Sequence, residues 1–340
     1  MTPTGGDGNG CRRSWRCHFS RSHLKIAAAV LLAVLLFVGG PGYHSPRSFG
    51  RFWNLGHIVL FFLLTDLFLQ TRFYQKRSHS AGAIWGALAA TLVLGALVEL
   101  LQARIGRLSA AGDVARDLLG TLLALAFGIK PAGGAARWPQ RFLQAVAVLM
   151  VAAACVPLAA ALLDEYRAAA AFPRLASFET TTELDRWEGG AARTLSGKVF
   201  RDGRRSLKIS LTRAKYSGVA LKYFPRDWHG YDALEFSVFN PGPAPLALTC
   251  RVHDRTHLVT GQHYSDRFNR RFRIAPGWND ISIPLEDIRL APAMRPLDLS
   301  RIDGLGLFSV RLPAPATVFL DRVRLVKGAA NGVPAVSTGS

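Results

Sequence analysis

Acidic residues are scarce in the first half of this chain. Up to Leu163 the sequence carries sixteen Lys and Arg but only five Asp and Glu, whereas the rest carries 26 and 18. Apolar runs lie between the clusters of arginine, which excludes a wholly soluble protein and an extended disordered chain. A length of 340 residues leaves room for about two domains. The sequence therefore divides into two parts of different character.

Cysteines and common catalytic motifs are also few. Cys11, Cys17, Cys155 and Cys250 have no spacing typical of a disulfide framework or a metal site. The sequence lacks a Walker-type phosphate loop, a zincin motif and a Gly-x-Ser-x-Gly elbow. The net charge of +19 is compatible with nucleic acid as a partner. Since the N-terminal excess flanks apolar runs, as is typical of membrane topology, we expect no nucleic-acid partner.

Five apolar segments in the first half predict membrane helices. They are residues 26–40, 55–69, 81–101, 114–129 and 142–163. The third and fifth segments reach the roughly 20 residues that span a bilayer, and the other segments reach that length only with their flanking residues. The first is either a signal peptide or a retained helix. The sequence Gly39-Gly40-Pro41-Gly42 is not a small-x-small cleavage site, which favours the retained helix.

Basic residues in the loops predict the orientation. The N-terminal tail and the second and fourth loops hold eleven Lys and Arg, and the first and third loops hold four. Because the richer loops stay in the cytoplasm, we expect a bacterial-type inner-membrane protein with a cytoplasmic amino terminus and an extracytoplasmic second half. The predicted parts are a basic tail (1–23), a five-helix transmembrane domain (24–163), a linker (164–176), a β-sandwich (177–327) and a disordered tail (328–340).

Polar side chains at membrane depth are costly and demand partners or a purpose. Glu99 and Gln102 are spaced i,i+3, and Asp113 and Asp117 are spaced i,i+4, so each pair occupies one helix face. The short connection between the two helices carries Arg104 and Arg107 and allows an antiparallel hairpin. The predicted intramembrane polar cluster is His57, Glu99, Gln102, Arg107, Asp113 and Asp117.

The residues of this cluster follow a recognisable order. The pattern is Glu99-Leu-Leu-Gln102, Arg107-Leu-Ser109, Asp113, Asp117 and Gly120, with Gly56-His57 before Phe61-Phe62. This pattern resembles the VanZ-like membrane family over about residues 20 to 130. The chain has Asp117 where the family has Asn, and Asn54-Leu55 where the family has Asp-Lys. The first departure adds a negative charge to the cluster. The resemblance implies an envelope protein linked by name to glycopeptide resistance.

Three interpretations of the polar cluster stay open. It is a buried clasp that locks the hairpin, or a site for a lipid-linked saccharide or an anionic headgroup, or part of a transport pathway. In the second case Arg104 or Arg107 is the phosphate partner, and His57 or a carboxylate is the acid–base group. That case makes the chain a membrane enzyme or carrier acting through Glu99, Arg107, Asp113 and Asp117.

From Ser177 onward, short alternating runs are bounded by turn residues. The predicted strands are 206–211, 218–223, 233–239, 246–252, 269–274, 280–283, 304–310 and 317–325. Strands at this spacing predict an antiparallel β-sandwich of the jelly-roll type. Three short sequence stretches are notable here: Asp227-Trp228-His229-Gly230-Tyr231-Asp232, Pro276-Gly277-Trp278-Asn279 and Phe319-Leu320-Asp321. They resemble galactose-binding-like jelly rolls, which include many carbohydrate-binding modules. The resemblance covers about residues 177 to 326 and implies a glycan as the partner.

That resemblance also implies a structural calcium ion. In such modules an acid on the first strand and an Asp on the last commonly hold Ca²⁺ through oxygen ligands. The matching residues are Glu179 and Asp321. The alternative is that both are ordinary solvated acids.

The most polar stretch of the second half lies between Arg251 and Asn269. Sugar recognition combines aromatic faces, which stack on a pyranose, with planar polar groups, which pair with hydroxyls. The predicted glycan-binding residues are Trp228, Tyr231, Arg251, His253, Asp254, Tyr264, Asp266 and Arg267. Trp228 and Tyr231 also fit core positions. His253 and Asp254 point to opposite faces of a strand and cannot form an acid–base pair directly, which argues against catalysis here.

The leading hypothesis is a noncatalytic envelope protein whose sandwich captures a glycan while its helices contact membrane lipid. The alternative is a membrane enzyme or carrier for a lipid-linked saccharide. A third hypothesis is a sandwich that binds a protein partner and acts as an assembly factor.

Overall fold

The computed structural model describes residues 21–71, 74, 81–104, 111–129 and 137–328. The chain divides into two compact units. The first is Met1–Ser45 with Phe49–Val156, and the second is Pro46–Ser48 with Pro157–Ser340. The predicted N-terminal tail lies almost wholly outside the described residues, as does the predicted C-terminal tail beyond Gly328.

The first unit is helical, as predicted. Its helices are α1 (Arg21–Val38), α2 (Arg47–Leu69), α3 (Ala81–Arg104), α4 (Ala111–Gly128) and the first part of α5 (Arg137–Ala171). Each contains one of the five predicted apolar segments or most of it. The helix ends extend into polar flanks because backbone hydrogen bonding continues beyond the apolar run.

The prediction of five membrane spans is wrong in number. By length and composition, two described helices are candidate spans, Arg47–Leu69 and Trp138–Ala171. Two others, Ser22–Val38 and Ile84–Val98, are apolar but shorter. The 18 residues of α4 rise about 27 Å, less than the roughly 30 Å hydrocarbon core. They also include three charged residues.

The second unit contains an antiparallel β-sandwich, which confirms the all-β part of the predicted fold. The strands are β1 (Arg174–Ala176), β2 (Trp187–Glu188), β3 (Ala192–Ser196), β4 (Ser206–Leu211), β5 (Tyr216–Leu221), β6 (Ala233–Asn240), β7 (Leu246–Asp254), β8 (Phe268–Ile274), β9 (Gly277–Pro284), β10 (Ile302–Val310) and β11 (Ala316–Val326). One sheet has the order β3-β4-β11-β6-β9, with β1 also paired to β11, and the other has the order β2-β5-β10-β7-β8. Two short helices, α6 (Arg255–Val259) and α7 (Leu285–Arg289), follow β7 and β9.

The core of the sandwich lies between the inner faces of the two sheets. Alternate residues of β4 are buried from Leu207 to Leu211, as expected for a strand with one face inward. The largest fully buried side chains include Trp187, Trp228 and Phe178. Burying one large apolar side chain contributes about 1.5–3 kcal/mol. This core fixes which side chains of each strand face outward.

The predicted linker, residues 164–176, contains the end of a helix and a short strand. Helix α5 continues to Ala171, and β1 pairs with β11. Asp164 is buried and accepts hydrogen bonds from Arg186 Nε and Nη2, both at 2.8 Å, and from Thr182 Oγ1 at 2.9 Å. Because both of its oxygens are occupied, Asp164 ties the end of α5 to the 3₁₀ turn Thr181–Arg186.

Candidate functional site

The outer face of the five-stranded sheet carries Arg251 and His253, two of the predicted glycan-binding residues. In β7, Leu248, Cys250 and Val252 are buried in the core. The intervening side chains therefore point away from the core. Arg251 and His253 thus lie on the solvent side of the sheet, as the alternation predicts.

The middle of this face is lined by residues with small side chains or none. We call Gly218 and Ala220 of β5 and Gly304 and Gly306 of β10 the small-residue strip. Gly304 pairs with His253, and Gly306 pairs with Arg251. A Cβ on Gly304 would lie 2.4 Å from His253 Cε1, so the imidazole occupies space that a side chain would need.

Two exposed tyrosines and a half-buried arginine accompany the strip. Tyr216, at the start of β5, is 61% exposed, and Tyr264, in the 3₁₀ turn Tyr264–Asp266, is 71% exposed. The Arg267 guanidinium carbon lies 5.4 Å from the centroid of the Tyr264 ring. Burial lowers the pKa of Arg267, and nearby Tyr264 and Tyr216 partly oppose this effect. Within the described ranges, no carboxylate pairs with Arg267, and its buried Nε has no hydrogen-bond partner.

His253 is buried at 4% exposure beneath this polar surface. Neither ring nitrogen has a hydrogen-bond partner among the described residues. Burial, together with the nearby charge of Arg251, lowers the pKa of His253 to about 3. The ring is therefore neutral near pH 7. Its neighbour Asp254 faces Arg295 instead, so the structure agrees with the expectation that the two form no acid–base pair.

Asp254 and Asp266 stabilise the polypeptide around the site. Asp254 is fully buried and accepts from Arg295 Nη2 at 2.8 Å and from the His257 backbone N–H at 3.0 Å. Burial alone would raise the pKa of Asp254, but hydrogen bonds from Arg295 and backbone N–H groups outweigh it and lower the pKa. Asp266 accepts from the same Arg295 at 3.0 Å. Both carboxylates are thus already neutralised within the protein.

Trp228 and Tyr231 do not belong to this surface. Trp228 is fully buried in the core, where its indole N–H donates to the Pro225 carbonyl at 3.3 Å. Tyr231 packs edge-on against Phe172, with ring centroids 5.3 Å apart. The prediction that Trp228 stacks on a sugar is wrong because no face of its ring reaches solvent. Sequence reasoning missed Tyr216, although alternation with Gly218 and Ala220 would have placed it on the outer face.

The residues predicted to hold calcium both bind one loop. Glu179 Oε1 accepts from the backbone N–H groups of Arg204 and Arg205 at 2.8 and 3.1 Å. Asp321 Oδ2 accepts from those of Arg201 and Asp202 at 2.7 and 3.1 Å. In the part of the chain that the structure describes, no three His, Cys, Asp or Glu side chains form a metal-binding group. These amide donors already occupy one oxygen of each carboxylate, and the calcium ion stays a prediction.

In the helical unit, His57 of α2 and Asp117 of α4 form the centre of the predicted polar cluster. The Nδ1 atom of His57 lies 2.9 Å from Asp117 Oδ1, and both side chains are buried. Asp113 instead pairs with Arg116 on its own helix. The side chains of Glu99 and Gln102, and all of Arg107, lie outside the described residues. The structure therefore joins two members of the predicted cluster.

Hydroxyl groups extend this buried pair along the same helices. Thr121 Oγ1 lies 2.8 Å from Thr91 Oγ1 and accepts from Thr65 Oγ1 at 3.2 Å. These bonds join α2, α3 and α4. The arrangement satisfies polar groups in an apolar helical unit, as the clasp interpretation requires.

Comparisons with known proteins concern the sandwich. No family model matches the chain, and no curated protein matches it. A family 11 carbohydrate-binding module from Clostridium thermocellum, in complex with a β-1,3-1,4-mixed-linked tetrasaccharide, is 16% identical over 45% of this chain and 94% of that chain, with a TM-score of 0.34. An exo-β-agarase is 16% identical over 48% of this chain and 25% of its own, with a TM-score of 0.37. A β-1,2-glucanase from Parabacteroides distasonis is 14% identical over 48% and 26%, with a TM-score of 0.34. None of these values assigns a function to this chain.

Proposed function

We propose that the β-sandwich binds a glycan, without cleaving it, on the outer face of its five-stranded sheet. The observation that carries this proposal is the pair of exposed tyrosines, Tyr216 and Tyr264, near the half-buried Arg267. Aromatic faces stack on the apolar side of a sugar ring, and a guanidinium pairs with adjacent oxygen atoms. The small-residue strip leaves room for the side chains of His253 and Arg251, which lie over Gly304 and Gly306.

The ionisable groups at this surface favour binding over hydrolysis. Cleavage of a glycosidic bond needs two carboxyl groups placed on either side of it. Asp254 and Asp266 are instead held by Arg295, and His253 is neutral and buried. Asp254 and Asp266 are therefore occupied within the protein, and Glu188, opposite Ala220 of the strip, pairs with Lys222.

The helices support a membrane location for the proposed glycan receptor. In the apolar window of Trp138–Ala171 only 11% of the residues are buried, so most of its apolar side chains face outward. Such a surface is stable in contact with lipid tails. The proposal is thus an envelope protein with membrane lipid as one partner and a glycan outside the cytoplasm as the other, and its VanZ-like character rests on the sequence resemblance alone.

A second candidate function rests on the buried pair of His57 and Asp117. A lipid-linked saccharide handled inside the membrane would need such an acid–base pair. The variant Asp117→Asn keeps the shape and the hydrogen bond but removes the charge. Loss of turnover of a lipid-linked saccharide in a well-folded Asp117→Asn protein would favour this function, whereas lost expression would favour the clasp.

The first test of the glycan proposal is binding of the purified full-length chain to a glycan array. Arg267→Ala should weaken binding at least about tenfold, since a hydrogen bond to a charged group contributes about 1.5–3 kcal/mol. Tyr264→Ala should also weaken binding, because it removes the aromatic face that stacks on the sugar. Arg204→Ala, on an exposed loop of the other sheet, is the control and should bind normally. If no glycan binds, the proposal fails and a protein partner becomes the better hypothesis.

A further inference from the structure

One connection of the sandwich combines exposed basic residues with an exposed aromatic ring. Residues 197–205 join β3 to β4, and we call them the basic loop. The loop holds four basic residues and one acid, all of them exposed: Lys198, Arg201, Arg204, Arg205 and Asp202. Phe200, in the middle of the loop, is 43% exposed.

The positive charge of the basic loop is only partly balanced. Arg201 pairs with Asp280 at 2.7 Å. In the part of the chain that the structure describes, no carboxylate pairs with the side chain of Lys198, Arg204 or Arg205. The loop therefore presents a net positive charge to its surroundings.

The backbone of the basic loop is held in place by two carboxylates. Glu179 Oε1 accepts from the backbone N–H groups of Arg204 and Arg205, and Asp321 accepts from two further N–H groups. A Cβ on Gly203 would lie 2.3 Å from Glu179 Oε1, so the carboxylate packs closely against the turn. Because these bonds use backbone groups, the guanidinium groups of Arg204 and Arg205 stay available to a partner.

The basic loop lies close to the end of the apolar stretch of α5. That stretch ends at Leu163, and Thr182 Oγ1 donates to the next residue, Asp164, at 2.9 Å. Glu179 lies three residues before Thr182, a separation of at most about 11 Å. Because Glu179 holds the loop, the loop is near the point at which a spanning α5 would leave the hydrocarbon core and meet lipid headgroups.

We propose that the basic loop docks on the anionic lipid headgroups of the membrane that holds α5. This inference rests on the proposed membrane location and adds a lipid contact made by the sandwich itself. Guanidinium and ammonium groups pair with lipid phosphates, and basic segments beside a membrane are attracted to anionic lipids. The Phe200 ring fits the boundary between headgroups and acyl chains, which a soluble polyanion does not offer.

A fluorescent label at position 200 of the full-length chain in lipid nanodiscs tests the inference. Phe200→Cys carries an environment-sensitive nitrobenzoxadiazole group in a chain whose native cysteines are replaced by alanine. We expect stronger, blue-shifted emission in nanodiscs of phosphatidylcholine with phosphatidylglycerol than in phosphatidylcholine alone. The difference between the two lipids should shrink as the salt concentration rises. Equal emission in the two lipids would overturn the inference.

The turn at the other end of β4 provides a matched control for charge. The six residues of β4 rise about 20 Å, and the turn after it carries Arg213 and Lys215, both exposed. Arg204→Gln/Arg205→Gln should abolish the response of the label to anionic lipid, whereas Arg213→Gln/Lys215→Gln should preserve it. Equal losses in the two double variants would contradict docking through the basic loop, as would the same lipid response from a label at Ala214→Cys.

The stability of the variants is checked by their melting temperatures. Glutamine keeps the backbone N–H groups of residues 204 and 205, so Arg204→Gln/Arg205→Gln should unfold at the temperature of the wild type. If its melting temperature is lowered, the single variant Arg204→Gln serves as the test and should weaken the response of the label.

Failure of this inference can be told apart from failure of the membrane location. A chain that purifies without detergent and does not enter nanodiscs would overturn both. A chain that enters nanodiscs, with a label at position 200 that does not respond to anionic lipid, would overturn the docking of the basic loop and keep the membrane location.

Discussion

At the scale of single residues, Asp254 shows how charge and burial combine near the site. Its carboxylate is fully buried and depends on Arg295 for its neutralisation. Arg295→Met leaves that charge unpaired, and breaking a buried ion pair costs about 3–5 kcal/mol. We expect a clearly lower melting temperature for full-length Arg295→Met in detergent. Asp254→Asn combined with Arg295→Met should recover part of the loss, since the uncompensated charge is gone.

The pH dependence of this effect has a defined sign. The pKa of folded Asp254 lies below the ordinary value of 3.8, so its stabilisation is present above that pH and is lost as the pH falls through the lowered pKa. The difference in melting temperature between wild type and Arg295→Met should therefore narrow at acidic pH. Arg289→Met, which removes an exposed pair with Glu286, should change stability little. A constant difference at every pH would contradict this account.

Residue identity alone predicted part of the binding face. Alternation correctly placed Arg251 and His253 outward and set Asp254 apart from His253. It could not distinguish Trp228, which the core covers, from an exposed aromatic, because burial of a loop residue depends on chain segments distant in sequence. The pairing of Asp254 with Arg295 could not be predicted from the sequence either, since the two residues lie 41 positions apart.

At the scale of secondary structure elements, Gly120 sets the approach of α4 to α2. A Cβ there would lie 2.3 Å from the carbonyl oxygen of Ile58. Gly120→Ala must push the helices apart, and overpacking of this kind costs about 1–3 kcal/mol. We expect a lower melting temperature for the full-length variant. Gly86→Ala in α3, where no atom lies within 4 Å, should be neutral or stabilising, and equal effects of both substitutions would contradict the packing argument.

The loop of residues 201–205 offers a second test at this scale. Glu179 and Asp321 hold it through four backbone N–H groups, and a cation would meet the positive ends of those amides. We expect a chelator to leave the melting temperature of the full-length chain unchanged. A fall on chelation, reversed by added calcium, would instead support the structural ion that the jelly-roll resemblance implies.

Sequence patterns predicted the positions of helices and strands better than the segments that connect them. The predicted strand 206–211 coincides with β4, because clear alternation and the turn at Asp202-Gly203 mark its limits. The region 164–176 looked like a linker because charged and small residues end the apolar run there. Only tertiary contacts, such as that of Asp164 with Arg186, show that the helix continues and is anchored.

At the scale of the whole molecule, the side of the membrane on which the sandwich lies depends on the stretch between the two candidate spans. Residues 70–137 lie between α2 and α5 and carry eight Lys and Arg. If α2 and α5 cross the membrane, this stretch is expected to stay in the cytoplasm by the positive-inside rule, which places the sandwich outside. Two crossings then place the amino terminus outside as well.

Reporter fusions test on which side of the membrane each part of the chain lies. Alkaline phosphatase, which is active only outside the cytoplasm, should be active when fused after Gly328 and inactive when fused after Gln70. An inactive fusion after Gly328 would contradict the proposed location and remove extracytoplasmic glycans from the reach of the sandwich. A reporter at the amino terminus tests the number of crossings, since two crossings require an external terminus and an odd number requires a cytoplasmic one.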